Sequence, residues 1–342
     1  MRAMILSRIA PVTEAGTPLE AAELPVPEPG PGHLLLRVAA CGVCHTELDE
    51  IEGRTPPSLL PVIPGHQVVG RVERLGTGVT DISPGARVGV AWIFSACGSC
   101  EQCRSGNENL CPEFRATGRD AHGGYAEYLT VPAPFVHPLP PLFSDTQAAP
   151  LLCAGAVGYR SLRLTDLHNG ESLGLFGFGA SAHLVLQMAR HLFPATPVFV
   201  FAREETERNF ARELGAAWTG PIGAIPPASI RACIDTTPAW TPVLAALETL
   251  MPGGRLVINA IRKEATDQQA LVTLDYPKHL WMEKEIKSVA NVTRRDVREF
   301  LALAASIPVV PEVEEYPLAD ANRALVALKR QRIRGAKVLR IS

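Results

Sequence analysis

A change in hydrophobic pattern near Gln147 restricts the fold of this chain more than any other feature. Between residues 34 and 131, short apolar runs of β type alternate with turns rich in glycine and proline. After Gln147, short apolar runs alternate with stretches of helical spacing. Strands that alternate with helices are typical of a parallel sheet with helices on both faces. The sequence therefore predicts an α/β protein that joins a β-rich part to a doubly wound parallel sheet.

The predicted elements are short and are separated by recognisable breakers. The β-type runs of the first part are 34–39, 67–75 and 125–131. The strands of the second part are 172–176, 198–201, 231–235 and 255–259, and the helices between them are 180–191, 205–214 and 241–251. Gly215 and Gly253 lie where helices are expected to stop. A helix at 319–329 and a strand near Val338 complete the prediction.

Length and charge exclude several classes of protein. With 342 residues, the chain exceeds the size at which single cores stop growing, so two domains are expected. Lys and Arg number 33 against 35 Asp and Glu, which argues against a nucleic-acid or anionic-membrane surface. We find neither a secretory signal nor a run of about 18 apolar residues, and we expect a cytoplasmic protein without nucleic-acid or membrane partners. Thiols stay reduced there, so the eight cysteines indicate metal ligands or catalytic groups rather than disulfides.

Four cysteines lie close together in a glycine-containing segment, at Cys97, Cys100, Cys103 and Cys111. Four thiolates at this spacing can complete a tetrahedral shell around Zn²⁺, which leaves no position for water. Such a structural zinc site stabilises a loop and does no chemistry. An iron–sulfur cluster is the alternative, because the two-residue gaps and the Cys111-Pro112 pair are similar to ferredoxin runs, although the last gap has seven residues.

Three further metal-ligating side chains are spread along the chain, at Cys44, His66 and Cys153. Two thiolates and one imidazole would leave the fourth tetrahedral position of zinc open to water or substrate. Each residue by itself is weak evidence, because a histidine after glycine is commonly structural and a cysteine in an apolar run commonly packs as a small hydrophobe. The prediction of a metal site depends on their convergence in the fold.

A glycine-rich turn follows the predicted strand 172–176. Gly177, Gly179 and Ala182 match the pattern G-x-G-x-x-G/A, and Ala180 lies between them. In this pattern the first glycine allows a tight turn, the second admits a pyrophosphate, and the third small residue lets helix and strand pack. The phosphate then lies at the positive end of the helix. The turn predicts a nicotinamide dinucleotide site, and a plain strand-to-helix turn is the alternative.

The end of the next strand indicates which dinucleotide is bound. NAD-binding enzymes place an acidic residue there for the adenosine ribose, but this strand ends in Ala202 and Arg203. A guanidinium can pair with a 2′-phosphate in a planar fork. We therefore expect NADP(H) to be preferred over NAD(H). The alternative is that Arg203 is a solvated charge and that Glu204 or Glu205 reaches the ribose.

These motifs, in this order, resemble the zinc-dependent alcohol dehydrogenases of the medium-chain dehydrogenase/reductase family over nearly the whole chain. The matching segments are Cys44-His45-Thr46, Gly65-His66, the lobe from Cys97 to Cys111, Gly123-Gly124-Tyr125-Ala126-Glu127-Tyr128, Cys153-Ala154-Gly155 and the glycine-rich turn. The resemblance implies a GroES-like catalytic domain at 1–155 and 295–342 and an inserted Rossmann domain at 156–294, with the active site between them. It also implies two zinc ions per chain, one catalytic and one structural.

The resemblance assigns roles to residues around the catalytic zinc. It implies that Cys44, His66 and Cys153 are the ligands, whereas Cys41 is not one. Glu47 stands in the place of a family Asp and could accept the imidazole N–H of the ligand histidine. In the same motif, Thr46 matches the hydroxyl that hydrogen-bonds the substrate oxygen and takes its proton.

Three weaker assignments follow from the same resemblance. His45 and Lys337 match positions where the family places polar or cationic groups near the pyrophosphate. Trp92, five residues before Cys97, matches an aromatic wall of the substrate pocket, which would narrow the pocket toward primary alcohols and aldehydes. The alternative for Trp92 is ordinary core packing.

Besides the conservative change at Glu47, two residues depart from the family pattern in their chemical type. Gln67 replaces the acidic residue that commonly follows the ligand histidine, so we expect a more electropositive metal site that favours an ionised water or alkoxide. Asp49 replaces a histidine that passes the substrate proton to solvent in some members. An Asp can relay protons only if its pKa suits, which leaves the proton route open.

The sequence thus predicts an oxidoreductase, a zinc-dependent alcohol dehydrogenase that transfers hydride reversibly between a primary alcohol or aldehyde and a nicotinamide cofactor. A homodimer or homotetramer is expected. A polyol or secondary-alcohol dehydrogenase of the same family is one alternative. A relative that binds cofactor or senses redox state without turnover is another, motivated by Gln67 and Asp49.

Overall fold

The computed structural model describes residues 1–307, 309, 311–330 and 335–342. The chain forms two compact units, Met1–Ala156 together with Val292–Ser342, and Val157–Asn291. The unit boundaries thus fall after residues 156 and 291, where the sequence led us to expect 155 and 294. Positions 308, 310 and 331–334 of the expected segment 295–342 lie outside the described residues.

The secondary structure consists of short strands and helices. The strands are β1 (Arg2–Ile5), β2 (Glu20–Glu23), β3 (His33–Val43), β4 (Val68–Leu75), β5 (Arg87–Val90), β6 (Ile93–Ser95), β7 (Arg115–Ala116), β8 (Tyr128–Pro132), β9 (Val136–Pro138), β10 (Leu173–Phe176), β11 (Val198–Phe201), β12 (Trp218–Gly220), β13 (Ile230–Asp235), β14 (Leu250–Ile258), β15 (Glu285–Ser288), β16 (Val313–Pro317) and β17 (Ala336–Arg340). The α-helices are α1 (His45–Ile51), α2 (Glu101–Arg104), α3 (Asp145–Ala148), α4 (Ala154–Leu164), α5 (Ala182–Leu192), α6 (Glu205–Glu213), α7 (Thr241–Thr249), α8 (Tyr276–His279), α9 (Arg294–Ser306) and α10 (Ala321–Lys329). Short 3₁₀ helices cover Glu108–Leu110, Ala133–Phe135, Ala149–Leu152, Gln268–Thr273 and Leu318–Asp320.

The first unit is organised around the long strand β3. Its main sheet has the order β16-β17-β3-β4-β5-β9, and β8 also pairs with β3. The strands pair antiparallel, except for the parallel pair β16 and β17. Apolar side chains of β3, among them Leu34, Leu36 and Val38, lie in the core of this unit. Because β3 and β4 are antiparallel with Cys41 opposite Val68, β3 ends and β4 begins at the same edge of the sheet.

The second unit contains a six-stranded sheet in which every pair is parallel. The strand order is β12-β11-β10-β13-β14-β15. Numbered within the unit, this order is 3-2-1-4-5-6, the doubly wound order that binds dinucleotides where the winding reverses. The short strands β10 and β11 are buried along their whole length, as expected for strands covered on both faces. The predicted fold class is confirmed.

Several predicted element bounds are wrong, and two of the differences have a clear physical cause. The run 125–131 is a strand only from Tyr128, because the backbone of the preceding residues bonds elsewhere: the Tyr125 carbonyl accepts the N–H of Met4. The helix predicted at 241–251 ends at Thr249 because Leu250 is drawn into the sheet opposite Ile230.

No helix within the described ranges is long and apolar enough to cross a bilayer.

Candidate metal centres and dinucleotide turn

Cys44, His66 and Cys153 come together in the first unit, although 22 and 87 residues separate them along the chain. One ligand atom from each lies within 4.8 Å of the others. Cys44 and His66 meet because Cys44 directly follows β3 and His66 lies two residues before β4, at the shared edge of the sheet. Cys153 follows the 3₁₀ helix Ala149–Leu152. The tertiary structure therefore assembles the predicted set of two sulfurs and one imidazole.

The backbone before His66 can be made only by glycine. Gly65 has a φ of +99°, in the left-handed region, and a Cβ there would collide with the ring of Tyr125. Tyr125 is itself fully buried. The close approach of this ring to the Gly65 backbone fixes the direction in which the next side chain, His66, leaves the chain.

His66 has the hydrogen bonding expected of a metal ligand. The ring is completely buried, and its Nδ1 is bonded to Glu47 Oε1. An ionised carboxylate only accepts, so Nδ1 carries a proton and Nε2 is left with the lone pair in the neutral ring. Nε2 is buried without a hydrogen-bond partner among the described residues. A divalent cation would satisfy this nitrogen, and so the residues present fit a zinc ion.

Glu47 organises the start of α1 as well as the histidine. Its Oε2 accepts the backbone N–H of Cys44 at 2.8 Å while Oε1 bonds His66. The carboxylate thereby ties together two of the three candidate ligands and fixes the histidine tautomer. Thr46, one residue earlier, lies with its hydroxyl 3.7 Å from the Cys44 sulfur.

The pKa values of the three candidate ligands depend on one another. A hydrogen bond from Cys153, helped by His66, lowers the pKa of Cys44 well below its ordinary value although burial opposes this. The same hydrogen bond, together with burial, raises the pKa of Cys153. Burial disfavours a charged His66, but Glu47 and Cys44 outweigh it and raise the pKa of the imidazole. A bound cation would take the place of these protons, since metal ligands bind in their deprotonated forms.

Cys41 lies near the site but outside the ligand set. Its thiol is fully buried, and burial together with the Glu47 charge raises its pKa well above the ordinary value. A buried thiol that resists ionisation packs as a small apolar group.

Asp49 and Gln67, the two departures from the family pattern, also lie close to the ligands in sequence. Asp49 is buried and bonded to the guanidinium of Arg54, whose Nε lies 2.6 Å from Asp49 Oδ1. The side chain of Gln67 packs against the backbone of Gly42 in β3. The Asp49 carboxylate is thus committed to an ion pair.

The four cysteines of the lobe also converge. The sulfurs of Cys97, Cys100, Cys103 and Cys111 lie within 4.8 Å of one another. Three backbone N–H groups point at these sulfurs, from Cys97, Cys100 and Glu113 at 3.3–3.4 Å. Hydrogen bonds from Ser99 and Cys100 lower the pKa of Cys97 to about 6, so this sulfur is readily a thiolate. Four sulfur donors with backbone N–H support fit a closed zinc shell.

The glycine-rich turn connects β10 to α5 in the second unit. Gly177 has a φ of +81°, and a Cβ at Gly179 would meet no atom of the chain within 4 Å. Ala180 lies in the turn, and Ala182 begins the eleven-residue helix α5, where it is fully buried. The open space at Gly179, in front of a helix N-terminus, fits the approach of a pyrophosphate.

Arg203 lies just beyond the end of β11 and is largely exposed. Its Nε bonds Glu204 at 2.8 Å, while Glu205 pairs with Arg208 and Arg212. Both acidic residues that could replace the ribose-binding carboxylate are therefore engaged with arginines.

The two weaker cofactor candidates differ in their exposure. His45, at the first position of α1, is exposed. Lys337 on β17 is buried, with its ammonium bonded to Glu314 and 3.4 Å from the hydroxyl of Tyr316. The charge of Lys337 is thus neutralised within its own sheet.

Trp92 is half-buried beside the lobe. Its ring lies 5.1 Å from that of Phe114, and the guanidinium of Arg119 lies 5.2 Å from the ring centre. The indole Nε1 is buried without a hydrogen-bond partner among the described residues. Glu50, a buried neighbour of Trp92, is a candidate functional residue that no sequence motif indicates, although its three-residue spacing from Glu47 is visible in the sequence.

The fold and the two clusters define a class: two-unit proteins with a parallel sheet of the dinucleotide-binding order and cysteine clusters that could hold metal ions. The profile of the alcohol dehydrogenase GroES-like domain matches residues 30–141. A protein of Mycobacterium tuberculosis named "Probable alcohol dehydrogenase AdhA" is 46% identical over 329 residues, covering 95% of this chain and 93% of the relative. An alcohol dehydrogenase of Geobacillus stearothermophilus is 33% identical, with 98% and 99% of the two chains covered.

A solved structure has the same architecture. The cobalt- and zinc-bound thermostable alcohol dehydrogenase of Pyrobaculum aerophilum superposes with a TM-score of 0.85 at 26% identity, covering 99% of each chain. The chain belongs to the zinc-dependent alcohol dehydrogenases of the medium-chain dehydrogenase/reductase family. The resemblance seen in the sequence is confirmed, and the enzyme is an alcohol dehydrogenase.

Proposed function

We propose that this alcohol dehydrogenase interconverts primary alcohols and aldehydes, prefers NADP(H), and uses one catalytic and one structural zinc per chain. The observation that carries the proposal is the convergence of Cys44, His66 and Cys153 around a buried imidazole nitrogen that lacks any partner in the described chain. Zinc and the nicotinamide, when bound, supply Lewis acidity and the hydride carrier.

The residues of the chain prepare the reaction. Glu47 holds the His66 ring in one tautomer and orientation, so that Nε2 faces the other ligands. Thr46 takes the proton of the alcohol hydroxyl, because its own hydroxyl lies beside Cys44 at the edge of the ligand set. Both residues belong to the first turn of α1, where Cys44 caps the helix. The start of this short helix thus positions the ligand Cys44, the Glu47 carboxylate that orients His66, and the proton-accepting hydroxyl of Thr46.

The preference for NADP(H) rests on Arg203. Glu205 is held by Arg208 and Arg212, so its carboxylate does not compete for the adenosine ribose. When Arg203 leaves Glu204 and binds the 2′-phosphate, it gives up an exposed ion pair that contributes little free energy in water. In its place it forms charge-assisted, bidentate hydrogen bonds to the phosphate. His45 and Lys337 remain proposed pyrophosphate contacts, of which only His45 has an exposed side chain.

The preference for primary alcohols rests on Trp92. The ring is held on two sides by Phe114 and Arg119, so it forms a rigid wall rather than a mobile side chain. A bulky fixed aromatic discriminates against branched substrates by steric exclusion.

Self-association is proposed from the sheet of the second unit. β15 is an edge strand whose four residues are all exposed, and Ile286 on it is 47% exposed. Trp281 and Met282, just before it, are 55% and 52% exposed. An edge strand with unpaired backbone groups and exposed apolar side chains on and beside it invites pairing with another chain, which supports a homodimer or homotetramer. Light scattering distinguishes the two.

The proposal is tested by metal analysis and steady-state kinetics on the intact protein. We expect two zinc ions per chain, oxidation of primary alcohols that is lost on chelation, and a higher kcat/KM with NADP+ than with NAD+. Arg203→Asp should reverse the cofactor ratio by about tenfold or more, since one charge-assisted contact is worth about 1.4 kcal/mol or more. Zinc-independent turnover, or no turnover of any alcohol, would contradict the function. An unchanged ratio in Arg203→Asp would contradict the cofactor preference alone.

A further inference from the structure

Glu50 is a buried carboxyl group to which the family resemblance assigns no role. The residue is 1% exposed, and neither carboxyl oxygen has a hydrogen-bond partner in the described part of the chain. Buried polar groups in native proteins are almost always hydrogen-bonded to protein or to ordered water. A carboxyl group left without protein partners, so close to a site that handles protons, calls for a function.

Glu50 lies on the face of α1 that carries the catalytic residues. It follows Thr46 by four residues and Glu47 by three, and residues at these spacings are neighbours on a helix, with Cβ atoms about 5–6 Å apart. Glu47 bonds His66 on the same face. The Glu50 carboxyl makes no direct hydrogen bond to the Thr46 hydroxyl, but at this spacing one bridging water can connect the two groups.

The groups that face Glu50 come from several segments. The charged and titratable ones are Glu47 on the same helix, His66 before β4, Arg119 after β7 and Tyr125. The indole of Trp92 also lies near the carboxyl, but the two do not reach hydrogen-bond geometry. The Tyr125 hydroxyl and the Trp92 Nε1 are, like Glu50, buried without partners in the described structure. Such groups are the partners that a buried water requires.

The neighbouring carboxylate, Asp49, is in a different situation. Arg54 binds Asp49 and also Glu52, and Glu52 binds Lys329 at 2.5 Å. The guanidinium of Arg54 thus already occupies the Asp49 carboxylate through a charge-assisted hydrogen bond. Of the two adjacent acids, only Glu50 lacks a cationic partner within hydrogen-bond distance in the described chain.

We propose that Glu50, rather than Asp49, receives the proton that leaves the alcohol, by way of Thr46. This inference rests on the proposed function. The O–H bond of the alcohol breaks as its proton moves to Thr46 Oγ1, and the proton of Thr46 moves to an oxygen of Glu50. The nicotinamide, when bound, would accept the hydride from the alcohol carbon, so that the alcohol becomes the aldehyde. In aldehyde reduction the protons and the hydride return by the same route.

The relay has a pH dependence of defined sign. Burial and the charge of Glu47 raise the pKa of Glu50 well above its ordinary value. Only the ionised carboxylate accepts a proton. The rate of alcohol oxidation therefore rises as the pH passes upward through this pKa, and the rate of aldehyde reduction falls.

The experiment compares Glu50→Gln with Asp49→Asn, the same chemical change one residue apart. Single-turnover oxidation of a deuterated and an ordinary primary alcohol is followed across pH in the zinc-loaded enzyme. Glu50→Gln should slow hydride transfer by about a hundredfold and remove its rise with pH, as expected for loss of a general base. Asp49→Asn should keep the rise, and Glu50→Asp should restore part of the rate. Zinc content and circular dichroism verify that each variant is folded and loaded.

The possible results separate the relay from the function on which it depends. If Glu50→Gln keeps the wild-type rate and pH profile, or if Asp49→Asn removes the profile, the relay is wrong while the dehydrogenase assignment stands. If the wild-type enzyme oxidises no alcohol, the proposed function is wrong and the relay falls with it. If Glu50→Gln does not fold, Glu50→Asp decides: a displaced pH profile supports the relay and an unchanged profile overturns it.

Discussion

The two cysteine clusters of this enzyme use the same donor atom, sulfur, in two different kinds of site. In the lobe, four sulfurs come from one stretch between Cys97 and Cys111, and backbone N–H groups of that stretch support them. In the other cluster, two sulfurs and an imidazole come from three distant segments, and a buried carboxylate, Glu47, supports the imidazole. Four donors close a zinc shell, whereas three leave one position for a ligand. The difference teaches that a local cluster can brace a loop by itself, while an open site needs the whole domain to hold it.

The largest expected effect is the loss of the open site through His66→Ala. Removal of this ligand should reduce zinc from two ions per chain to one and lower kcat/KM for alcohol oxidation by at least about a thousandfold, which corresponds to about 4 kcal/mol of transition-state stabilisation. The remaining zinc should stay in the lobe, since its four sulfurs are untouched. Metal analysis and initial rates measure both quantities.

Cys41→Ala is the matched control for that variant. Cys41 is buried near the same site but does not belong to the ligand set, so we expect two zinc ions and most of the activity. Turnover of His66→Ala within tenfold of the wild type would show that the two clusters do not differ in function.

A smaller effect is expected from Glu47→Gln, which tests how the open site is held. The amide keeps the shape of the side chain but cannot hold the His66 proton with a full charge. We expect a loss of about 10- to 100-fold in zinc affinity at this site, measured by competition with a chelator, and a comparable loss of activity. Glu52→Gln, at the end of the same helix, should leave zinc affinity unchanged. Equal losses in both variants would assign the effect to helix stability instead of ligand orientation.

The smallest effect on activity is expected from Cys103→Ser in the lobe. This variant should lose the structural zinc and melt earlier, by roughly 2–4 °C for each kcal/mol of stability that the metal contributes. The folded enzyme should retain most of its activity at low temperature, because the open site keeps its three ligands. Ser105→Ala, an exposed change in the same lobe, is the control. Thermal unfolding with kinetics below the transition separates the two outcomes, and loss of activity without loss of stability would argue against a bracing role.

Prediction from sequence succeeded where the deciding interactions are local. The lobe spacing, the glycine-rich turn and most strands of the parallel sheet depend on neighbours a few residues away, and β11 was predicted to the residue. Prediction failed where a distant partner intervened. Leu250 belongs to a strand because Ile230 lies opposite it, a contact that helical spacing at 241–251 does not reveal.

The candidate site shows the same division. The sequence named Cys44, His66 and Cys153, but their convergence depends on the antiparallel register of β3 with β4 and on the 3₁₀ helix before Cys153. It left Glu50 unmentioned, because an acidic residue in a helix is usually solvated, and only burial without a partner distinguishes it. The sequence suggested Asp49 as a proton carrier, but in the folded chain the Asp49 carboxylate forms an ion pair with Arg54.

The amino-acid sequence alone determined which chemistry the chain can support: the thiolates, the imidazole, the acidic groups and the glycine-rich turn are properties of residue type and short spacing. The tertiary structure decided which of these groups meet, which are buried, and which are already paired. The physical reason is that ligand geometry and the pKa of a carboxyl or thiol depend on neighbours within a few ångströms. In this protein, those neighbours are brought together by pairing between strands that lie far apart along the chain.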